Sequence, residues 1–329
     1  MRIAIFGAGA IGCYVGGRLA HAGADVVLIG RPRMGDALAQ GLHLTDYRGA
    51  DLHLPPLPFA TGPEAVKDAT LVLICVKSQD SAQAAAQLST HLPPAAILVS
   101  FQNGIGNAAA LSQALGRPVV PGMVGFNVAW MGGGHFHQGT QGDLHIEESP
   151  RLNEALFARA GLPLHVHDDM QPVMWGKLML NLNNAINALS GLPLKDQLGQ
   201  RDYRRCLAAA QEEYLDLCRV ADQPLARLSP LPAAWLPGVL RLPDRLFALL
   251  ARQMLAIDPK ARSSMADDLT LGRKPEIDAI NGEVARLAKR LGRSAPVNQR
   301  LMALVEEASH SEPRRTWSGR ELLQTLQSA

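Results

Sequence analysis

The chain has 329 residues, 47% hydrophobic and 19% charged, with a formal net charge of +2. That length accommodates two domains of ordinary size, each with its own core, and the near balance of charge excludes both a disordered polyelectrolyte and a strongly basic nucleic-acid binder. Cys13, Cys75, Cys206 and Cys218 form no C-x-x-C pair, which fits a reducing compartment better than a disulfide framework or a structural zinc site. The apolar run Ile3–Phe6 stops at Gly7, far short of a signal-peptide core or a membrane span. The expectation is a cytoplasmic protein with no membrane partner.

Residues Arg2–Phe6 read as a buried strand, followed by Gly7, Ala8, Gly9, Ala10, Ile11 and Gly12 and then by a helical pattern to His21. This is G-x-G-x-x-G between a strand and a helix, the context a dinucleotide-binding turn requires. Gly7 serves the tight turn, Gly9 the approach of a pyrophosphate, and Gly12 close packing of helix on strand. After the next predicted strand, Asp25–Ile29, an NAD site would carry a carboxylate for the ribose hydroxyl; Gly30 and Arg31 stand there instead, with Arg33 beyond. A guanidinium favours a 2′-phosphate, so the cofactor reads as NADP(H) ahead of NAD(H).

Alternating Leu42, Leu44, Leu52 and Leu54 predict a hairpin. Strands Leu71–Val76 and Ile97–Phe101 lead to Lys77 and to Asn103-Gly104. Ligands in an open parallel sheet collect at strand carboxyl ends, which makes Lys77 and Asn103 candidates at a dinucleotide site. Strands are also expected over Pro118–Val128 and Asp143–Ile146, joined through a Gly-rich loop, Gly132–Gly134, that carries His135 and His137. His165 and His167 form a second H-x-H pair, but no third ligand at an obvious spacing accompanies either, so no metal site is expected.

After Asp168 and Asp169 the period changes from 2 to 3.6, which sets the domains at 1–168 and 169–329. The stretch Trp175–Asn187 reads as one helix with Lys177 and four Asn among aliphatic residues. Asn181 lies about 40° and Asn184 about 20° from Lys177 around the axis. Buried amides demand hydrogen bonds, so this face either satisfies neighbouring backbone or binds a small oxygen-rich ligand. Further helices are predicted over 202–220, 244–257, and after Pro275 and Pro296, with a loop or linker over Pro224–Pro243. Pro275 and Glu276 suit a helix start.

Taken together, the first Gly motif, Lys77, Asn103-Gly104, Trp175-x-Lys177-Leu178 with Asn181, Ser263-Ser264-Met265, Glu276-Ile277-Asp278 and Asn281-Gly282 make the sequence resemble the ketopantoate reductase family over nearly its whole length. The resemblance implies an α/β fold, with an N-terminal Rossmann-type dinucleotide-binding domain followed by an all-α domain. It also implies NADPH-dependent reduction of a small 2-keto acid, 2-dehydropantoate (ketopantoate) to pantoate in pantothenate biosynthesis. By resemblance Lys177 is the proton donor, Glu276 holds the substrate hydroxyl or the cofactor, and Asn103, Asn181 and Ser264 line the site. The family pattern has a second Asn two turns after the Lys; here Asn184 comes slightly early and Asn187 slightly late, and Asn184 is favoured because it shares the Lys face. Cofactor contacts are expected from Gly7, Ala8, Gly9, Ala10, Ile11, Gly12, Arg31, Lys77, Asn103 and Glu276. Another NADP-dependent 2-keto or β-hydroxy acid oxidoreductase and a non-catalytic NADP(H) sensor are the alternatives. The sequence leaves the oligomeric state open, a homodimer being one option.

Overall fold

The computed structural model describes residues 1–149, 152–250 and 258–328 and divides into two compact units, Met1–Met170 and Gln171–Ala329. The first unit holds strands β1 (Arg2–Phe6), β2 (Asp25–Ile29), β3 (Leu42–Asp46), β4 (Asp51–Leu54), β5 (Phe59–Ala60), β6 (Leu71–Ile74), β7 (Ile97–Ser100), β8 (Val120–Val124), β9 (Val128–Gly132), β10 (His135–Gln138), β11 (Leu144–Glu147) and β12 (Leu164–His167). Its helices are α1 (Ala10–His21), α2 (Pro32–Leu38), α3 (Ser81–Leu88), α4 (Asn107–Leu115) and α5 (Glu154–Arg159).

One sheet runs β12-β11-β8-β7-β6-β1-β2-β5. The strands from β8 to β5 pair in parallel, and β11 is antiparallel to β8. Parallel strands covered on both faces are apolar throughout. Thus Ile3 and Ile5 pack with Tyr14 and Val15 of α1, while Ala4 and Phe6 join a separate core with Ala84, Ala85 and Leu111 of α3 and α4. Strand order reverses between β1 and β6, the point where an open α/β sheet forms its ligand crevice.

The predicted hairpin exists, with Leu42 opposite Leu54 and Leu44 opposite Leu52. It belongs to a second sheet, β4-β3-β10-β9. Its apolar face closes on α1 so tightly that a Cβ on Gly17 would lie 2.8 Å from Leu44 Cδ1. The expected strand Pro118–Val128 is broken at Gly125–Asn127, where the chain leaves one sheet for the other: Gly125 N–H bonds Asp143 O, and a Cβ at Gly125 would meet that oxygen at 2.5 Å. His135 and His137 lie on β10 itself, not in the loop before it.

The second unit is helical: α6 (Gln171–Asn181), α7 (Asn183–Ser190), α8 (Leu194–Gly199), α9 (Arg201–Val220), α10 (Leu236–Leu240), α11 (Asp244–Leu250), α12 (Ser264–Thr270), α13 (Ile277–Arg290), α14 (Pro296–His310) and α15 (Gly319–Gln327). The helix expected over Trp175–Asn187 is divided at Leu182, which keeps helical torsions and still donates to Leu178 O at 3.1 Å. Asn amides compete with backbone for hydrogen bonds, and Asn181, Asn183 and Asn184 concentrate that competition at the junction. The Pro-rich segment is not a plain loop, because it contains a 3₁₀ turn, Ala233–Trp235, and α10. Residues 251–257 of the predicted helix 244–257 lie outside the described residues.

A buried cation organises that segment. Arg204 on α9 is wholly buried; its guanidinium donates to the carbonyls of Leu198, Gly199, Leu240 and Leu242 and to Asp244 Oδ1, and it stacks on Phe247 at 4.1 Å. Carbonyls at the ends of α8 and α10 carry the negative end of the helix dipole, so they suit a cation.

Candidate active site

In the first unit the backbone does most of the building. Gly7 takes φ +109°, which a side chain rarely adopts, and a Cβ there would lie 2.6 Å from Val76 N. The N–H groups of Gly7 and Ala8 donate to Ile29 O, which ties the turn to the end of β2. At Gly12 a Cβ would strike Gly7 O at 2.2 Å, whereas at Gly9, the N-cap of α1, it would meet nothing within 4 Å. The turn is therefore packed below and open above. First-turn N–H groups of α1 have no carbonyl four residues back, so they and the helix dipole offer an anion site.

Two neighbouring loops are stitched beside this turn. Lys77 and Ser78 follow β6 while Asn103 follows β7; Ser78 Oγ donates to Asn103 O at 2.6 Å, and Asn107 Nδ2 donates to the same oxygen at 2.7 Å. Buried Gln102 donates to Val76 O and Ser81 Oγ, fixing the Lys77 loop from beneath. Ser100 Oγ donates to Gln102 Oε1 at 2.9 Å, but the two groups Gln102 donates to lie more than twenty residues away, which no local pattern shows. Arg31 follows β2 as the N-cap of α2. Its side chain is 88% exposed, and its ion pair to Asp80 is 3.5 Å long. The guanidinium is thus loosely held and accessible.

In the second unit the work passes to side chains. Lys177 sits on α6, a helix anchored by α9: Tyr214 Oη donates to Trp175 O at 2.7 Å and Gln211 Nε2 to Met179 O at 3.3 Å. Gly176 admits the Pro-rich segment, since a Cβ there would lie 2.6 Å from Ala226 O. Burial pushes the Lys177 ammonium down to about 8, because a charge loses hydration in protein surroundings. One turn on, Asn181 is buried and Asn184 partly accessible.

The two candidate asparagines differ plainly. Asn187 is fully buried; its amide donates to Leu192 O at 2.9 Å and accepts from Ser263 N–H at 2.9 Å. Asn184 uses its backbone carbonyl to accept from Ser263 Oγ at 3.2 Å, which leaves its side chain clear of that contact. Ser263, part of the Ser263-Ser264-Met265 block but given no role from sequence, is the N-cap of α12, its Oγ accepting from Ala266 N–H. A Ser three residues before an amide it caps is a readable signal. Ser264 follows at the first helical position, exposed. Glu276 is the buried N-cap of α13, and its carboxylate makes no capping bond.

Comparison with known proteins bears on both units. Residues 3–151 match the family model described as "Ketopantoate reductase PanE/ApbA", and residues 169–309 match "Ketopantoate reductase PanE/ApbA C terminal". The chain is 30% identical to the 2-dehydropantoate 2-reductase of Pyrococcus horikoshii over 93% of this chain and 97% of that protein. Among solved structures, a PanE/ApbA family ketopantoate reductase from Ralstonia eutropha aligns with TM-score 0.78 and 32% identity, covering 99% of this chain and all of that one. The 2-dehydropantoate 2-reductase of Geobacter metallireducens aligns with TM-score 0.77 and 27% identity, covering 94% and 100%. The chain belongs to the ketopantoate reductase family.

Proposed function

We propose, with that family membership as premise, that the chain reduces 2-dehydropantoate to pantoate using NADPH. The observation that carries the reading is Lys177, an amine whose burial lowers its pKa to about 8, on α6 with Asn181, and with Asn184 in the first turn of the following helix α7. NADPH supplies the hydride when bound. The open space above Gly9, the unsatisfied first turn of α1 and the accessible Arg31 guanidinium suit its pyrophosphate and 2′-phosphate. Lys77 and Asn103 border the same turn.

In this reading Lys177, as ammonium, hydrogen-bonds the ketone oxygen and polarises it. As the carbonyl carbon accepts the hydride, the oxygen takes a proton from Lys177 and becomes the product hydroxyl. An amine with pKa about 8 is mostly protonated at neutral pH yet gives up its proton more readily than an ordinary lysine. Asn181, Asn184 and Ser264 supply neutral donors for the substrate carboxylate and hydroxyl, and the Glu276 carboxylate accepts from the substrate hydroxyl or the cofactor ribose. Asn187 is assigned a structural task instead.

A cytoplasmic location and a homodimer belong to the same reading. Four free cysteines and the absence, among the described residues, of any helix long and apolar enough to cross a membrane support the location.

The test is NADPH oxidation with ketopantoate, repeated with NADH and with a panel of 2-keto acids compared by kcat/KM. Ketopantoate and NADPH should give the highest values. A higher value for another keto acid would move the substrate while keeping the reaction, and tight NADPH binding with no turnover of any keto acid would make the protein a sensor.

A further inference from the structure

Ten histidines are distributed unevenly in this chain. Cross-strand pairing in the second sheet sets His43 opposite His53 on one side and opposite His135 on the other. Side chains alternate along a strand, so His43, Thr45, Asp51, His53, His135 and His137 share the face opposite Leu42, Leu44 and Phe136. The rings stack as a ladder, with centroids 4.2 Å apart for His43 and His53 and 4.1 Å for His43 and His135. Asp51 Oδ1 receives both neighbours, His43 Nε2 at 2.6 Å and His53 Nε2 at 3.3 Å. The three ligand atoms lie within 4.8 Å of one another.

We infer that His43, Asp51 and His53 form a site for a divalent transition-metal ion of the Zn²⁺ class, with water completing the coordination. Two imidazole nitrogens and one carboxylate oxygen are the donor set such ions prefer, whereas Mg²⁺ and Ca²⁺ prefer all-oxygen sites. Ligand atoms about 2.0–2.1 Å from a tetrahedral ion stand about 3.3 Å apart. The His53–Asp51 separation of 3.3 Å already has that value, and His43–Asp51, at 2.6 Å, opens by a small side-chain rotation.

Thr45 Oγ1 holds both His135 Nε2 and His137 Nδ1, at 2.9 and 2.8 Å, and so backs the ladder. The ligands come from the β3–β4 hairpin alone, and the H-x-H pair His135 and His137 lies beside them on β10 without joining them.

The experiment is equilibrium dialysis of untagged, metal-stripped full-length protein against Zn²⁺, with Mg²⁺ as competitor. One equivalent should bind despite excess Mg²⁺, and His53→Gln or Asp51→Asn should weaken it at least about tenfold. His165→Gln, on the first sheet, should leave it unchanged. Circular dichroism and NADPH oxidation confirm that each surface variant is folded, and Co²⁺ substitution should give visible d–d bands that His53→Gln abolishes. The inference is overturned if no saturable Zn²⁺ binds, if Mg²⁺ displaces it, or if it survives both substitutions and is lost in His165→Gln.

Discussion

The glycine turn after β1 and the asparagine-rich junction of α6 and α7 both use short residues to shape a polar surface, yet they do it in opposite ways. At the turn the shape is fixed by what is missing: no Cβ fits at Gly7 or Gly12, and none is in the way at Gly9. At the junction it is fixed by what side chains bind: Asn187 bonds both Leu192 and Ser263, while Asn184 leaves its amide out of that network. A backbone device needs particular residues at fixed local spacing, whereas a side-chain device depends on partners that folding brings from elsewhere. In the turn, sequence position sets the shape; in the junction, identical residues differ in what they bind.

Four experiments sharpen or break that contrast. The largest effect is expected from Lys177→Ala, which should lower kcat by about 10²–10⁴-fold, the usual worth of a positioned acid, with little change in NADPH affinity; unchanged turnover of every keto acid would remove Lys177 from the chemistry. Next, Arg31→Ala should raise KM for NADPH roughly 10–100-fold, the value of one charge-assisted hydrogen bond or two, and leave NADH kinetics nearly unchanged. Equal losses for both cofactors would assign Arg31 to the loop rather than to the phosphate.

The third concerns proton inventory. With Lys177 at about 8, the protonated amine that ketone reduction requires is present below that pH and is lost above it. Reductive kcat should therefore fall by roughly tenfold per pH unit above about 8. The oxidative direction needs the neutral amine and should instead rise toward that pH. A reductive profile flat to pH 10 would contradict the assignment.

The smallest catalytic effect is expected from Asn187→Ala. It strands Ser263 N–H and Leu192 O and should cost about 1–3 kcal/mol of stability in urea unfolding, with kcat per folded molecule within about twofold of the parent. Asn184→Ala should do the reverse, raising KM for the keto acid without shifting the unfolding midpoint. If the two variants exchanged phenotypes, the assignment of the asparagines would be inverted.

How much of this was legible in advance follows the same line. The strand ends at Phe6 and Ile29, the hairpin Leu42–Leu54 and the long helix read over 202–220 follow from period and punctuation, which are local, whereas the strand read as Leu71–Val76 stops at Ile74. The break at Gly125 and the exchange of sheets after it depend on Asp143, eighteen residues on, and no window around Pro118–Val128 contains that information. Likewise the face shared by Lys177 and Asn184 could be drawn on a helical wheel, but the commitment of Asn187 required Ser263, seventy-six residues away. The Pro-rich segment was misread for a related reason. Its proline spacing suggested loop, while Arg204 of α9 supplied the partners that make part of it helical and fixed.

That guanidinium has a consequence for how the second unit assembles. A fully buried guanidinium needs nearly all of its oxygen partners at once, since each missing one leaves a desolvated donor. Leu198 and Gly199 precede Arg204, and Leu240, Leu242 and Asp244 lie some forty residues after it. Half-docked arrangements of the Pro-rich segment are therefore disfavoured. Arg204 acts as a completeness check, under which α8, α9 and the segment through α10 close as one cooperative event or remain open together.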